Sequence, residues 1–202
     1  ASGENEAHDL ALSLESYTLG SLSGFAGQTT VDDSNRFTVF DVTTLEGELK
    51  TFGVMVILDH LWNRVARNRM VNKRTWIYID EFHRMFSNRY AAEQFLDMFK
   101  RARKWGLGMT GITQNIQELT GNREARLMLA NSDFLLLMNQ TPTDAEQLAS
   151  MWSLSPELRN RIGTARAGEG ILKSEETFIP FDGRISTDSA IYRLTTTKFG
   201  EG

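Results

Sequence analysis

Residues Thr75–Arg84, TWIYIDEFHR, decide how the rest of the chain is read. Trp76 to Ile79 are apolar, aromatic or β-branched and free of Gly and Pro, the composition of a strand buried on both faces of a parallel sheet. Asp80 and Glu81 follow at its C-terminal end, which in an open α/β sheet is the edge where ligands bind. This is a Walker B layout. Asp80 is then the carboxylate that holds Mg2+ through water, and Glu81 the one that orients and polarises the water attacking a γ-phosphate. A buried strand running into an acidic helix start also fits these ten residues, so the remaining sequence has to decide.

The chain has 202 residues, 41% hydrophobic and 24% charged, which excludes disorder throughout and is enough for a sizeable core. With no Cys, disulfides, thiolate metal sites and cysteine nucleophiles are excluded together, and a reducing compartment fits. His8, His60 and His83 stand in no ligand pattern, which argues against a histidine metal site. The longest apolar run, around Val54–Leu58, is too short to span a bilayer, and the polar N-terminus lacks the pattern of a signal peptide. Membrane association is therefore expected only through partners.

The net charge of −4 conceals an asymmetry. Residues 1–60 carry 2 Lys/Arg against 10 Asp/Glu, residues 61–104 carry 11 against 4, and residues 105–202 carry 9 against 12. The basic middle flanks the Walker B segment and could face phosphates of a nucleotide or of DNA, or be the solvated side of two helices.

Residues 1–36 read as the tail of an upstream element: His8–Tyr17 is a short helix and Gly20–Asn35 a loop rich in Gly, Ser, Thr and Asp. Residues 37–202 form the domain proper. Phe37–Val42 reads as a strand, Leu45–Met70 as a long helix with a basic end, and Tyr90–Trp105 as a second helix closed by Gly106. Leu107–Thr113 reads as a strand ending in Gln114–Asn115, Arg123–Asn131 as a helix, and Asp133–Asn139 as a fourth buried strand. Thr143–Met151 is a helix with Thr143 as N-cap, and Ser155–Ile162 one capped by Ser155 with Pro156 at its first position. Gly168–Lys173 and Thr177–Phe181 form a hairpin, and Ala190–Thr196 a last strand. The fold class is α/β: a mostly parallel sheet flanked by helices, with a C-terminal antiparallel edge.

A nucleotide hydrolase needs a phosphate cradle, a metal ligand, a catalytic carboxylate, a γ-phosphate sensor and, in ring enzymes, an arginine from a neighbour. Asp80 and Glu81 supply the second and third. Gln114, at the end of the next strand, can hydrogen-bond the γ-phosphate or the attacking water, although a solvated strand end fits it as well. Arg101, Arg103 and Arg166 are candidates for the contact in trans, each also readable as a surface arginine. The cradle is absent: nothing matches G-x-x-x-x-G-K-[ST], and the chain as given is expected neither to bind ATP tightly nor to hydrolyse it. Asp80-Glu81-Phe82-His83 spells a DExH box, but the companion motifs of such helicases are missing, and His83 reads as a helix-start residue near the site. A glycosidase-like pair fails because adjacent strand residues point to opposite sides.

The order and spacing of several segments resemble the C-terminal ATPase domain of the type IV secretion and conjugation ATPases, the TraC/TrbE-like class within the HerA/FtsK group of RecA-like ring motors. They are NRFTVFDVTTLEGELK, LDHLWNRV, TWIYIDEFH, GITQNIQEL, ANSDFLLLMNQ and ARAGEGIL, and they cover nearly the whole chain. The resemblance implies a partial RecA-like P-loop NTPase core, with Asp80 and Glu81 as the Walker B pair binding Mg2+ and ATP, and Gln114 as the motif glutamine. It puts Asn131 and Gln140 in the following motif, and Arg166, Gly168 and Gly170 in the last one, near a subunit boundary. Walker A would lie upstream, beyond a helical insertion of which residues 1–36 are the trailing edge. Its strand would sit between Met109–Thr113 and Phe134–Met138, so each of these is expected to lack a neighbour here. The implied parent is a cytoplasmic-side ATPase working as an oligomer, a hexamer by family, with inner-membrane channel components as partners. A DNA-translocating motor gripping DNA through the basic middle, and a non-catalytic assembly scaffold, are the two rival readings.

Overall fold

The computed structural model describes residues 2–20, 23–28, 30–32, 34–114 and 116–196. The chain divides into two compact units, Ala1–Ile79 with Asn88–Thr110, and Asp80–Ser87 with Gly111–Gly202.

The first unit is built on a β–α–β crossover. Strands β1 (Thr75–Ile79) and β2 (Leu107–Gly111, whose last residue belongs to the second unit) form a two-stranded parallel sheet joined through α3 (Arg89–Trp105). Helix α3 has a start and a stop written in its sequence. The Asn88 side chain accepts from the Ala91 N–H, and Gly106 ends the helix in the left-handed region at φ 63°. Its buried stripe is Ala91, Ala92, Phe95 and Met98. The long helix α2 (Gly47–Met70) packs against α3 and buries Val54, Leu58 and Val65. Where the two helices end, Arg69 lies 4.4 Å over the Trp105 ring, Trp105 stacks 4.8 Å from Trp62, and Arg101 lies 5.4 Å over Trp62. Part of the basic middle is thus engaged on indole faces. Helix α1 (Ser2–Thr18) precedes these elements and is longer than the His8–Tyr17 helix expected.

Three expectations are corrected in this unit. Phe37–Val42 forms no strand; Thr38, Phe40 and Val42 are half-buried while Phe37 and Val39 are exposed, a strand-like alternation that is not paired into a sheet. Strand β1 is covered on one face only: Ile77 is buried, whereas Trp76 and Tyr78 are 63% and 65% exposed. The sheet is also not one mostly parallel sheet but two separate ones, in which β2 is a terminal strand of the first.

The second unit begins with the turn Asp80–Glu81 and a 3₁₀ helix, Phe82–Ser87, and continues with α4 (Ile116–Gly121) and α5 (Arg123–Ala130). Strands β3 (Phe134–Leu137), β4 (Glu169–Ser174) and β5 (Thr177–Asp182) form an antiparallel sheet in that order, with Leu136 opposite Leu172 and Leu172 opposite Ile179. Helices α6 (Pro142–Trp152) and α7 (Pro156–Thr164) sit between β3 and β4 in sequence. The core is Ile116, Leu137, Ala145, Leu148, Ile162 and Ile171, with Leu135 and Phe178 packed against it from the inner face of the sheet. On the outer face Phe134 and Leu136 are exposed, so β3 is not the fully buried strand expected. It is a terminal strand of its sheet.

Local chemistry fixes the helix starts. The Thr141 side chain, not that of Thr143, accepts from the Asp144 N–H, because Pro142 occupies the first helical position and the cap must precede it. Ser155 caps α7 as expected, again with a proline following. Ala190–Thr195 is a helix, α8, rather than a strand: Ser189 accepts from the Tyr192 N–H and starts it. No helix among the described residues is long and apolar enough to cross a membrane.

Candidate active site

Glu81 is held in an unusual backbone conformation, φ 48°, in the left-handed region that costs a non-glycine residue on the order of 1 kcal/mol. Three hydrogen bonds over-determine it. Asp80 Oδ1 accepts from the Glu81 N–H at 2.9 Å, the Arg84 N–H donates to the Glu81 carbonyl at 2.9 Å, and the Phe82 N–H donates to the Ile112 carbonyl at 2.8 Å.

The turn is locked from beneath by Phe82, buried and packed edge-on against Phe86 at 4.9 Å. Phe82 lies where Gly111 has no side chain: a Cβ at Gly111 would meet Phe82 Cδ1 at 2.5 Å. Gly111→Ala is therefore expected to displace the ring and lower stability by about 1–3 kcal/mol, read from chemical denaturation.

Residue Gln114, 33 positions from Glu81, donates from Nε2 to Glu81 Oε1 at 2.7 Å. The next layer was not legible in the sequence. His83, whose side chain is 11% exposed, has Nδ1 2.9 Å from Thr113 Oγ1 and 3.4 Å from Glu81 Oε2, and Nε2 3.8 Å from Glu118 Oε2. His83 is the second residue of the 3₁₀ helix Phe82–Ser87, a helix-start residue beside the site as expected, and its ring also joins this cluster. Asn115 lies outside the described residues.

The other candidates are distributed. Arg101 and Arg103 are on the last turns of α3, in the first unit; Arg101 Nε donates to Asp97 Oδ1 at 3.0 Å besides lying over Trp62. Arg166 is exposed on the loop between α7 and β4, its N–H donating to Glu169 Oε2 at 3.1 Å. Asn131 ends α5, donating to the Leu127 carbonyl at 2.6 Å, and Gln140 donates to the Asn139 carbonyl at 3.0 Å. Both bonds are to nearby backbone.

The Arg166 loop is braced by Arg184, which donates from Nε to Asp182 Oδ1 at 2.9 Å and from Nη2 to Asp182 Oδ2 at 2.6 Å, and stands 3.4 Å from Glu169. Gly168 adopts φ 87°, with Arg184 against it. Hydrogen bonding to Arg184 lowers the Asp182 carboxyl from 3.8 to about 2. The folded value is the depressed one, so this pairing favours the folded state fully above pH 3.8 and loses its effect as pH falls through about 2. A side-chain NMR titration of Asp182 should show that low midpoint, and Arg184→Gln should raise it.

Among the described residues no group of three His, Cys, Asp or Glu side chains forms a metal site. A Mg2+ ion arriving with nucleotide phosphates would need only one or two protein carboxylates, the substrate's own oxygens supplying the rest. Asp80 is exposed and uses Oδ1 for the Glu81 N–H, leaving its other oxygen for such a water-mediated contact.

What the fold and the site define is an α/β chain with an acid pair directly after a strand and an amide on the second acid. No protein-family model matches it, and no curated protein does. Among solved structures it is similar to VirB4 of Thermoanaerobacter pseudethanolicus, with a TM-score of 0.75 and 25% sequence identity over 89% of this chain. The chain spans 50% of the length of that VirB4 chain.

Proposed function

We propose that this chain is the downstream part of an ATPase that powers type IV secretion or conjugative DNA transfer, hydrolysing ATP at subunit interfaces of an oligomer. The observation that carries the reading is the 2.7 Å hydrogen bond from Gln114 to Glu81, which joins the two residues that the sequence nominates as sensor and catalytic carboxylate. The likeness to VirB4 supports the type IV secretion ATPase class for the parent.

In this reading Asp80 would hold Mg2+ through water, and the ion with its ATP would supply the electrophilic γ-phosphate and neutralise its charge. Glu81 orients and polarises the attacking water, and Gln114 reports on the γ-phosphate through its amide. Arg101 is engaged with Asp97 and Trp62, so Arg103 and Arg166 are the better candidates to act across a subunit boundary. The phosphate cradle would come from the upstream part of the parent, in a RecA-like core, and the chain alone is inactive. Copies of itself and inner-membrane channel components are the partners, on the cytoplasmic side. The engagement of Arg69 and Arg101 on tryptophans weakens the rival in which the basic middle grips DNA. ATP turnover of the full-length parent with Glu81→Gln tests the reading.

A further inference from the structure

We infer that His83 is a positioning residue for Glu81, acting through the carboxylate rather than on substrate. The inference rests on the proposed hydrolase reading. Glu81 lies on a one-residue left-handed turn, and its long side chain would sample several rotamers if nothing held it. Gln114 takes Oε1. Oε2 faces His83 Nδ1 at 3.4 Å, and the same nitrogen is 2.9 Å from Thr113 Oγ1. A carboxylate oxygen only accepts, so the tautomer that serves Glu81 carries its hydrogen on Nδ1, where the 2.9 Å contact to Thr113 Oγ1 is the hydrogen bond and Glu81 Oε2 is the close charged neighbour.

The arrangement is a built one. The 3₁₀ helix that begins at Phe82 brings residue 83 back toward the acid two positions before it, and the imidazole is the most buried member of the cluster: its side chain is 11% exposed, against 34% for Glu81 and 61% for Glu118. On the far side of the ring Glu118 Oε2 stands 3.8 Å from Nε2, beyond hydrogen-bond distance, so the ring is held through Nδ1 and Thr113. The carboxylate is then addressed at both oxygens from two separate segments, residues 83 and 114, and has one orientation left. Such orientation matters at a water-activating group, where a misplacement of about 1 Å costs on the order of 100-fold in rate.

The test is steady-state ATP turnover of the full-length parent protein with His83→Asn, His83→Phe and Glu81→Gln. Asn places a donor near the position of Nδ1 but loses ring volume; Phe keeps the ring and loses the donor. Positioning predicts a kcat about 10–100-fold down for His83→Phe with KM for ATP little changed, and recovery to within a few-fold of wild type for His83→Asn. A purely packing role predicts the reverse order, and that order, equal losses in both variants, or wild-type kcat in His83→Phe each overturns the inference. Should both variants misfold, His83→Gln and His83→Leu repeat the comparison of donor kept against donor lost, and an equal kcat in these two overturns the inference. Loss of turnover in Glu81→Gln with none in His83→Phe sinks the inference alone. Full turnover in Glu81→Gln removes Glu81 as the catalytic carboxylate and the inference with it, whereas no turnover in the wild-type parent removes the hydrolase reading itself.

Discussion

Glu81→Gln in the full-length parent protein should lower ATP turnover by about 10²–10⁴-fold while leaving nucleotide affinity within a few-fold. The substitution is nearly isosteric and keeps an oxygen for the Gln114 Nε2–H to donate to, so the 2.7 Å contact and the turn built on φ 48° have no reason to collapse. What disappears is the negative charge and the basicity that draw a proton from the attacking water. Binding should survive because Asp80, the ligand proposed for Mg2+, is untouched. A kcat within about threefold of wild type would exclude Glu81 as the catalytic carboxylate, and with it the claim that the acid pair is machinery rather than inheritance. No turnover in either the wild-type parent or the variant, despite a folded oligomer, would instead favour the non-catalytic scaffold, since a fold can outlive its chemistry.

The sequence reveals the parts of this chain whose cause is local. Gly106 ends α3 because a residue without Cβ enters the left-handed region freely, and Ser155-Pro156 starts α7 because a cap precedes a fixed φ. The same rule applied to Thr141-Pro142 identifies Thr141 as the cap, while the choice of Thr143 followed a capping-box pattern and overlooked the proline. Helix α4 escaped because its six residues carry too short a period to register. Burial was overstated for β1 and β3 because an apolar run shows what a strand could bury, not how many neighbours cover it. Trp76, Tyr78, Phe134 and Leu136 are apolar and exposed. At the site, the acid pair and Gln114 were visible because strand ends in α/β sheets have a positional meaning. His83 and Thr113 were not visible as partners, since their contact spans 30 residues and depends on a 3₁₀ turn that no pattern announces.

The largest stability effect is expected at Gly170, where a methyl group should cost about 2–3 kcal/mol. The glycine is buried in β4 and would present its Cβ to the Leu137 carbonyl oxygen at 2.4 Å and to the Phe181 ring at 2.9 Å. The ring can turn; the carbonyl cannot, because Leu137 lies in β3, which is paired with β4 through four successive residue pairs. Relief must come from spreading the strands, and Leu137 and Ile171, the residues that would be pulled apart, are both in the core of the unit. Replacing Gly by Ala also stiffens the unfolded chain, a gain of about 0.4–1 kcal/mol that offsets part of the clash. Gly163 isolates that term: it lies in α7 with nothing within 4 Å of its Cβ position. Gly163→Ala should therefore stabilise by about 0.5–1 kcal/mol, the opposite sign from Gly170→Ala. Denaturant titration of the two variants reads both. Equal effects would show that Gly170 is kept for something other than the close approach of β3, and would return it to the subunit boundary where the family resemblance places its motif.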